Sequence, residues 1–393
     1  MTDKYICPSC ASRKVSTFYT AKNVPVNNCL LLPTKQQAVE FPCGDIVLGF
    51  CSNCGFITNT AFDTSKVDYA SVYEDQQCFS PTFNRFAHKL AAQLVEKYDL
   101  HNKHVLEIGC GKGDFLALLC EIGNNTGVGI DPAYIKGRSQ SKAAESLTFI
   151  RDFYSEKYAN QNGDFVCCRH TLEHIPNTRE FMDVIRLSVD NNLDTTVFFE
   201  VPDVVRVLDE QAFWDIYYEH CSYFSLGSLA RLFRICGFEV EELYKDFDDQ
   251  YLLVAAKPVK HVSGKVLDSE DSVLELEKHM ELFAEKYQKK LDSWRNLLKQ
   301  KRSENKRVVV WGSGSKCVAF LTTLGIKDEI EYIVDINPYR HGKYIPGAAK
   351  QIMAPEFLKQ YDPDLTIVMN PAYTTEIKQM LKEMNVKTEV IAV

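Results

Sequence analysis

His104-Val-Leu-Glu-Ile-Gly-Cys-Gly-Lys-Gly-Asp-Phe-Leu116 is the stretch that decides the fold. Val105, Leu106 and Ile108 make a short apolar run that predicts a buried strand. Gly109, Gly111 and Gly113 follow at a spacing of two, and Phe115 to Leu119 opens a helical pattern. A glycine-rich turn from strand to helix lets a ligand lie against bare backbone at a helix N-terminus. Glu107 sits inside the strand, just ahead of the first glycine. A second apolar run, Gly127-Val-Gly-Ile130, ends in Asp131, about twenty residues past the glycines, where an acid grips a ribose in doubly wound folds. Taken alone, Gly-x-Gly-x-Gly also suits a dinucleotide or a purely structural turn.

Downstream the strand-and-helix alternation continues, so an α/β core is expected over about His101 to Lys257. A third strand, Leu147–Ile150, ends in Arg151-Asp152-Phe153. A fourth, Asp164–Cys168, runs into Arg169-His-Thr-Leu-Glu-His174, and a fifth, Thr195–Pro202, carries Glu200. In an open parallel sheet ligands bind beyond the carboxyl ends of the strands, which brings His170 and His174 to the active edge. The stretch Ala212–Phe224 has little periodicity but gathers Tyr217, Glu219 and His220. Aromatics with a carboxylate and an imidazole offer a dry pocket, a base and an orienting partner. A helix over Leu226–Cys236 and a hairpin of Glu239–Leu243 with Tyr251–Ala256 close the core.

Upstream, Cys7-Pro-Ser-Cys10 and Cys51-Ser-Asn-Cys54 are two C-x-x-C pairs. Each pair bites one metal from a tight turn, and the two complete a tetrahedron, so a structural zinc held by Cys7, Cys10, Cys51 and Cys54 is expected. Tyr69 and Tyr73 precede a helix expected from about Phe83 to Tyr98, with Phe86, Leu90, Leu94 and Val95 at helical spacing. From Ser269 to about Lys301 apolar residues recur in steps of three and four, which predicts a long amphipathic helix that bridges two domains or pairs with a partner helix. The last segment repeats the opening theme: Val308–Trp311, then Gly312-Ser-Gly-Ser-Lys316, then strands ending in Asp335 and Asn370. This predicts a second Rossmann-like unit, whose turn either holds a nucleotide or diphosphate or only shapes a cleft.

Composition sets the outer bounds. A chain of 393 residues is too long for one ordinary core, so two or three domains are expected. A net charge of −8 argues against a protein that coats nucleic acid. No apolar run reaches membrane-spanning length and the N-terminus shows no basic-plus-apolar signal segment, so a cytoplasmic protein is expected, a monomer or homodimer with neither membrane nor nucleic-acid partners. In such a compartment the 14 cysteines are metal ligands, core residues or thiols rather than disulfides.

Glu107-Ile-Gly-Cys-Gly-Lys-Gly113 followed by Asp131 resembles the S-adenosylmethionine (SAM) site of class I methyltransferases. Together with the four cysteines, Leu172-Glu-His-Ile175, Tyr217-Tyr-Glu-His220 and the C-terminal glycine turn, the whole chain resembles the three-domain sugar C-methyltransferases. That resemblance implies a zinc-binding domain (1–68), a SAM-dependent methyltransferase domain (69–260), a bridging helix (261–302) and a C-terminal Rossmann-like domain (303–393). It implies SAM bound by Glu107, Gly109, Gly111, Gly113 and Asp131, with Asp152 or Phe153 bordering the adenine. It further implies methylation of C3 of a nucleotide-linked 4-keto-deoxysugar through an enolate. His220 is the expected base, with Glu219 orienting it. His174 and Tyr217 are expected at the keto oxygen, and Tyr73 at the lid. The alternative is transfer to an oxygen or nitrogen of another small molecule.

Overall fold

The computed structural model describes residues 5–69, 73–139, 141–161, 163–190 and 192–393. It opens with β1 (Val15–Pro25), the short α1 (Lys35–Val39), β2 (Cys43–Cys51) and β3 (Ile57–Asn59). α2 (Pro81–Lys97) follows. Ser80 caps it by accepting from Phe83 N at 3.2 Å, and Pro81 sits in the first turn, where its missing N–H costs nothing. Phe86, Leu90, Leu94 and Val95 form its buried face, as their spacing predicts.

The central unit runs β4 (His104–Ile108), α3 (Asp114–Gly123), β5 (Thr126–Ile130), β6 (Thr148–Ile150), β7 (Phe165–Arg169), α4 (Thr178–Ser188), β8 (Thr196–Pro202), α5 (Val204–Asp209), β9 (Ser222–Tyr223), α6 (Leu226–Ile235), β10 (Phe238–Asp246) and β11 (Tyr251–Pro258). Seven of these strands form one sheet in the order β10-β11-β8-β7-β4-β5-β6. β6, β5, β4, β7 and β8 are parallel, and β11 and β10 join antiparallel. This is the class I methyltransferase sheet with its antiparallel hairpin at one edge. The order reverses at β4, so the glycine turn after β4 lies at the switch point, where a crevice opens beyond the strand ends. Phe165 to Arg169 is buried throughout, as expected for a central parallel strand covered on both faces.

β9 belongs to a different sheet. It pairs with β3, Ile57 opposite Tyr223 and Thr58 opposite Ser222, and completes the antiparallel order β1-β2-β3-β9. The short strand just after Tyr217-Tyr-Glu-His220 is therefore held by the cysteine-bearing N-terminal sheet.

α7 (Val273–Ser303) is a single 31-residue helix, started by a capping box between Ser272 and Glu275. Its Phe283 packs edge-on to Phe18 and Tyr19 of β1, and its Trp294 packs edge-on to Phe320. The helix thus spans the N-terminal sheet and the C-terminal unit of the same chain. That unit is a fully parallel sheet, β14-β13-β12-β15-β16, built from β12 (Val308–Trp311), β13 (Tyr332–Val334), β14 (Gln351–Met353), β15 (Leu365–Val368) and β16 (Glu389–Ala392). Its helices are α8 (Ser315–Leu324), α9 (Leu358–Tyr361) and α10 (Thr374–Glu383). Among the described residues no helix is long and apolar enough to cross a membrane.

Candidate active site

A cavity of about 1420 Å³ opens where the three sheets meet. Ligand pockets usually measure ~300–1,000 Å³, so this one has room for two organic ligands side by side. Its wall includes Cys29 and Phe62 from the N-terminal unit, Gly109 and His220 from the central unit, and Trp311 and Asn337 from the C-terminal unit.

The first working surface is the glycine turn. Gly109, Gly111 and Gly113 have φ of 71°, 54° and 85°, the left-handed region where a side chain is strained. A Cβ on Gly109 would lie 1.8 Å from Thr171 Oγ1, and one on Gly113 2.5 Å from the Phe149 ring. The glycines are therefore demanded by backbone shape and by close packing together. Gly113 leads into α3 without a side-chain cap of its own, and of the first-turn N–H groups that of Leu116 is taken by Glu107. Asp131 accepts from Gly111 N at 2.8 Å and Ala133 N at 2.6 Å. Burial, with Asp75 nearby, lifts the Asp131 carboxyl to about 6 against these N–H bonds. Glu107 accepts from Leu116 N at 3.0 Å; burial raises it to about 8, with Arg169 opposing. Phe153 reaches the cavity wall. Asp152 does not: its carboxylate accepts from the Tyr158 hydroxyl at 2.6 Å and pairs with Lys157.

The second surface carries the imidazoles. His174, His220 and Tyr217 all line the cavity. The His220 ring lies 4.1 Å from Tyr217 and 4.8 Å from His174, nearly perpendicular to the latter. Tyr69 Oη lies 3.1 Å from His174 Nδ1. Burial, and the neighbouring charges of His174, His170 and Lys316, push His220 well below the usual imidazole range. That direction favours the neutral imidazole, which has a lone pair to offer. Residues 70–72, between the two tyrosines of the Tyr69–Tyr73 stretch, lie outside the described residues.

Glu219 departs from its expected place. It is fully buried and absent from the cavity wall. Its carboxylate accepts from the Asn28 backbone N–H and from Tyr73 Oη, and it makes no hydrogen bond to His220. It holds the loop rather than the imidazole. Tyr73 is accordingly tied to Glu219, while its carbonyl accepts from Lys112 Nζ at 2.7 Å.

Sequence reasoning missed Glu173 and Asp215, and it named His170, Lys316 and Asp335 without their partners. Glu173 lines the cavity at 2% exposure, one residue before His174. His170 takes a left-handed backbone, φ 50°, and its ring lies between Glu200 Oε1 at 2.7 Å and Glu173 Oε1 at 3.5 Å. Burial opposes its charge, but the two carboxylates lift it to about 9. Lys316 of the last glycine turn is bound to Asp215, whose other oxygen takes Arg206 at 2.6 Å. The nearest signal for Asp215 was its place in the crowded 212–224 stretch. Asp335 repeats the pattern of Asp131 in the C-terminal unit: it accepts from Ser313 N and Asn337 N, both at 2.8 Å.

The four N-terminal cysteines converge. Cys7 and Cys54 Sγ lie 3.7 Å apart, as do those of Cys10 and Cys51, and all four thiols lie within 4.8 Å of one another. A tetrahedral ion with bonds of 2.3 Å needs sulfurs ~3.8 Å apart, so the donor set fits a closed structural site.

Residues 79–243 match the family model described as a methyltransferase domain, and residues 253–392 match that of a C-methyltransferase C-terminal domain. C-methyltransferase NovU of Streptomyces niveus is 29% identical over 311 residues, covering 75% of this chain and 73% of the relative. The chain is a SAM-dependent C-methyltransferase. The methyltransferase also matches solved structures at low identity. Magnesium protoporphyrin IX methyltransferase (ChlM) from Synechocystis PCC 6803, with bound S-adenosylhomocysteine, is 17% identical; the match covers 48% of this chain and 91% of that one, with a TM-score of 0.37. The N,N-8-amino-8-demethyl-D-riboflavin dimethyltransferase (RosA) from Streptomyces davawensis is 16% identical; the match covers 45% and 56%, with a TM-score of 0.36.

Proposed function

We propose that this C-methyltransferase methylates C3 of a nucleotide-linked 4-keto-deoxysugar, through an enolate formed when His220 removes the C3 proton. The observation that carries the reading is the clustering of His220, His174 and Tyr217 on the wall of the cavity that the glycine turn also lines. The 4-keto group acidifies the C3 proton. His220, neutral and buried, supplies the lone pair. His174 and Tyr217 donate hydrogen bonds to the oxygen on which charge develops, in a site that burial makes poor in competing water. Tyr73 and Glu219 fix the loop that presents His220.

SAM, where bound, supplies the electrophilic methyl group. Gly109 and Gly111 present bare backbone to it, Asp131 takes its ribose hydroxyls, and Phe153 flanks its adenine. Glu107 and Gly113 shape the turn from behind. Cys7, Cys10, Cys51 and Cys54 hold zinc as a staple away from the chemistry. The size of the cavity, and the C-terminal residues on its wall, suit an acceptor as large as a nucleotide sugar.

The test is hydrogen exchange without methyl transfer. In deuterated water with S-adenosylhomocysteine, a nucleotide-linked 4-keto-deoxysugar should take up deuterium at C3 on the native enzyme and not on His220→Asn. Methylation by native enzyme with no exchange at that carbon would replace this reading by transfer to a heteroatom.

A further inference from the structure

We propose that Glu173, His174 and His220 form a second metal site, which takes a borderline divalent cation of the Zn²⁺ or Co²⁺ kind and, when filled, silences the base. The binding claim stands by itself; the silencing claim rests on the role given to His220 above.

One carboxylate oxygen of Glu173 and one ring nitrogen of each histidine lie within 4.8 Å of one another. Among the described residues the four-cysteine cluster is the other such group of three or more donors. Glu173 and His220 are buried, at 2% and 7% exposure. Glu173 Oε1 faces His170 Nδ1 at 3.5 Å, whereas Glu173 Oε2 is buried with no hydrogen-bond partner. A buried carboxylate oxygen left unpaired keeps the whole of its desolvation penalty, and a bound cation removes it.

The imidazoles are prepared in the same sense. Tyr69 Oη lies 3.1 Å from His174 Nδ1 and 3.5 Å from the Glu219 carbonyl oxygen. When an ion takes His174 Nε2, Nδ1–H donates to Tyr69 and Tyr69 to the carbonyl; the Nε2 proton that would face the keto oxygen is given up, so the filled site loses that donor as well. An outer hydrogen bond of this kind fixes the tautomer of metal-bound histidines. Two imidazoles and one carboxylate favour zinc-like ions over magnesium or calcium, which prefer oxygen throughout. Three protein donors also leave a coordination position open toward the cavity, unlike the closed thiolate set. Donors around a tetrahedral zinc stand ~3.3 Å apart, so small side-chain rotations close the site. Once an ion holds the His220 lone pair, that lone pair cannot take a proton from carbon.

The experiment uses the full chain with its thiolate site loaded with zinc. Co²⁺ is titrated in and followed by visible absorption. One further equivalent is expected, with ligand-field bands and no thiolate charge-transfer band. Glu173→Gln should abolish it, and Tyr69→Phe, which keeps every ligand, should weaken it about tenfold. Circular dichroism and S-adenosylhomocysteine binding verify that both variants fold. C3 deuterium exchange into the 4-keto-deoxysugar should fall in proportion to Co²⁺ occupancy and return on chelation. Absence of the extra equivalent, or binding untouched in both folded variants, overturns the site. Exchange that persists or quickens at full occupancy overturns the silencing. Exchange absent even without Co²⁺ overturns the base assignment, and the titration still decides the metal site.

Discussion

Tyr73 donates its phenolic hydrogen to the Glu219 carboxylate across 2.5 Å, which ties the segment ahead of α2 to the loop that carries His220. Both groups are buried, and the Asn28 N–H occupies the other carboxylate oxygen. The bond therefore sets where an imidazole stands without touching it.

Tyr73→Phe should leave Glu219 one donor short. The expected cost is about 1–3 kcal/mol of stability, read from urea unfolding, because a buried acceptor loses a partner. Methyl transfer should fall while SAM affinity, measured by calorimetry, stays near the native value.

His174→Gln and Tyr217→Phe each remove a donor proposed to face developing negative charge. Each should lower kcat by ~10²–10³-fold and leave the Kd for SAM unchanged. Equal losses in acceptor KM and none in kcat would place both residues in ground-state binding instead.

Cys54→Ser breaks the thiol tetrahedron. Metal content by atomic emission should fall from one zinc per chain to none. Because β3 holds β9, just beyond His220, methyl transfer should fall with it. SAM binding, proposed for the turn after β4 in the seven-stranded sheet, should persist.

Asp131 gives the pH dependence. Its carboxyl is lifted from the usual carboxylate range to about 6 by burial and Asp75, so the charged form is present only above that pH. SAM affinity should therefore be flat above pH 7 and weaken as pH falls through 6, approaching ~tenfold per unit. Asp131→Asn should bind weakly at every pH and show no such inflection.

Much of the fold was legible because the residues that make it are local and repetitive. Glycines at 109, 111 and 113 and an acid at 131 define one strand-turn-helix unit by sequence spacing alone, and the spacing of Leu276 to Leu298 defines α7. The convergence of the four cysteines was legible because two C-x-x-C pairs each bring two thiols together in a tight turn. The partner of Glu219 was not. It sits beside His220 in sequence, yet the backbone between them turns it away, toward Asn28 and Tyr73. Adjacent residues in a turn diverge, and only long-range packing says where each one points. The pairing of β9 with β3 was hidden for the same reason: a two-residue strand carries no periodic signal. Glu173 was overshadowed by the histidine that follows it.

The two glycine turns are held by the same carboxylate device, Asp131 bridging Gly111 and Ala133, and Asp335 bridging Ser313 and Asn337. The first keeps bare backbone at the cavity; the second has a lysine already engaged by Asp215. A substitution at Asp335 or Asp215 would therefore reshape the C-terminal wall of the cavity while leaving the Asp131 bonds to Gly111 and Ala133 in place.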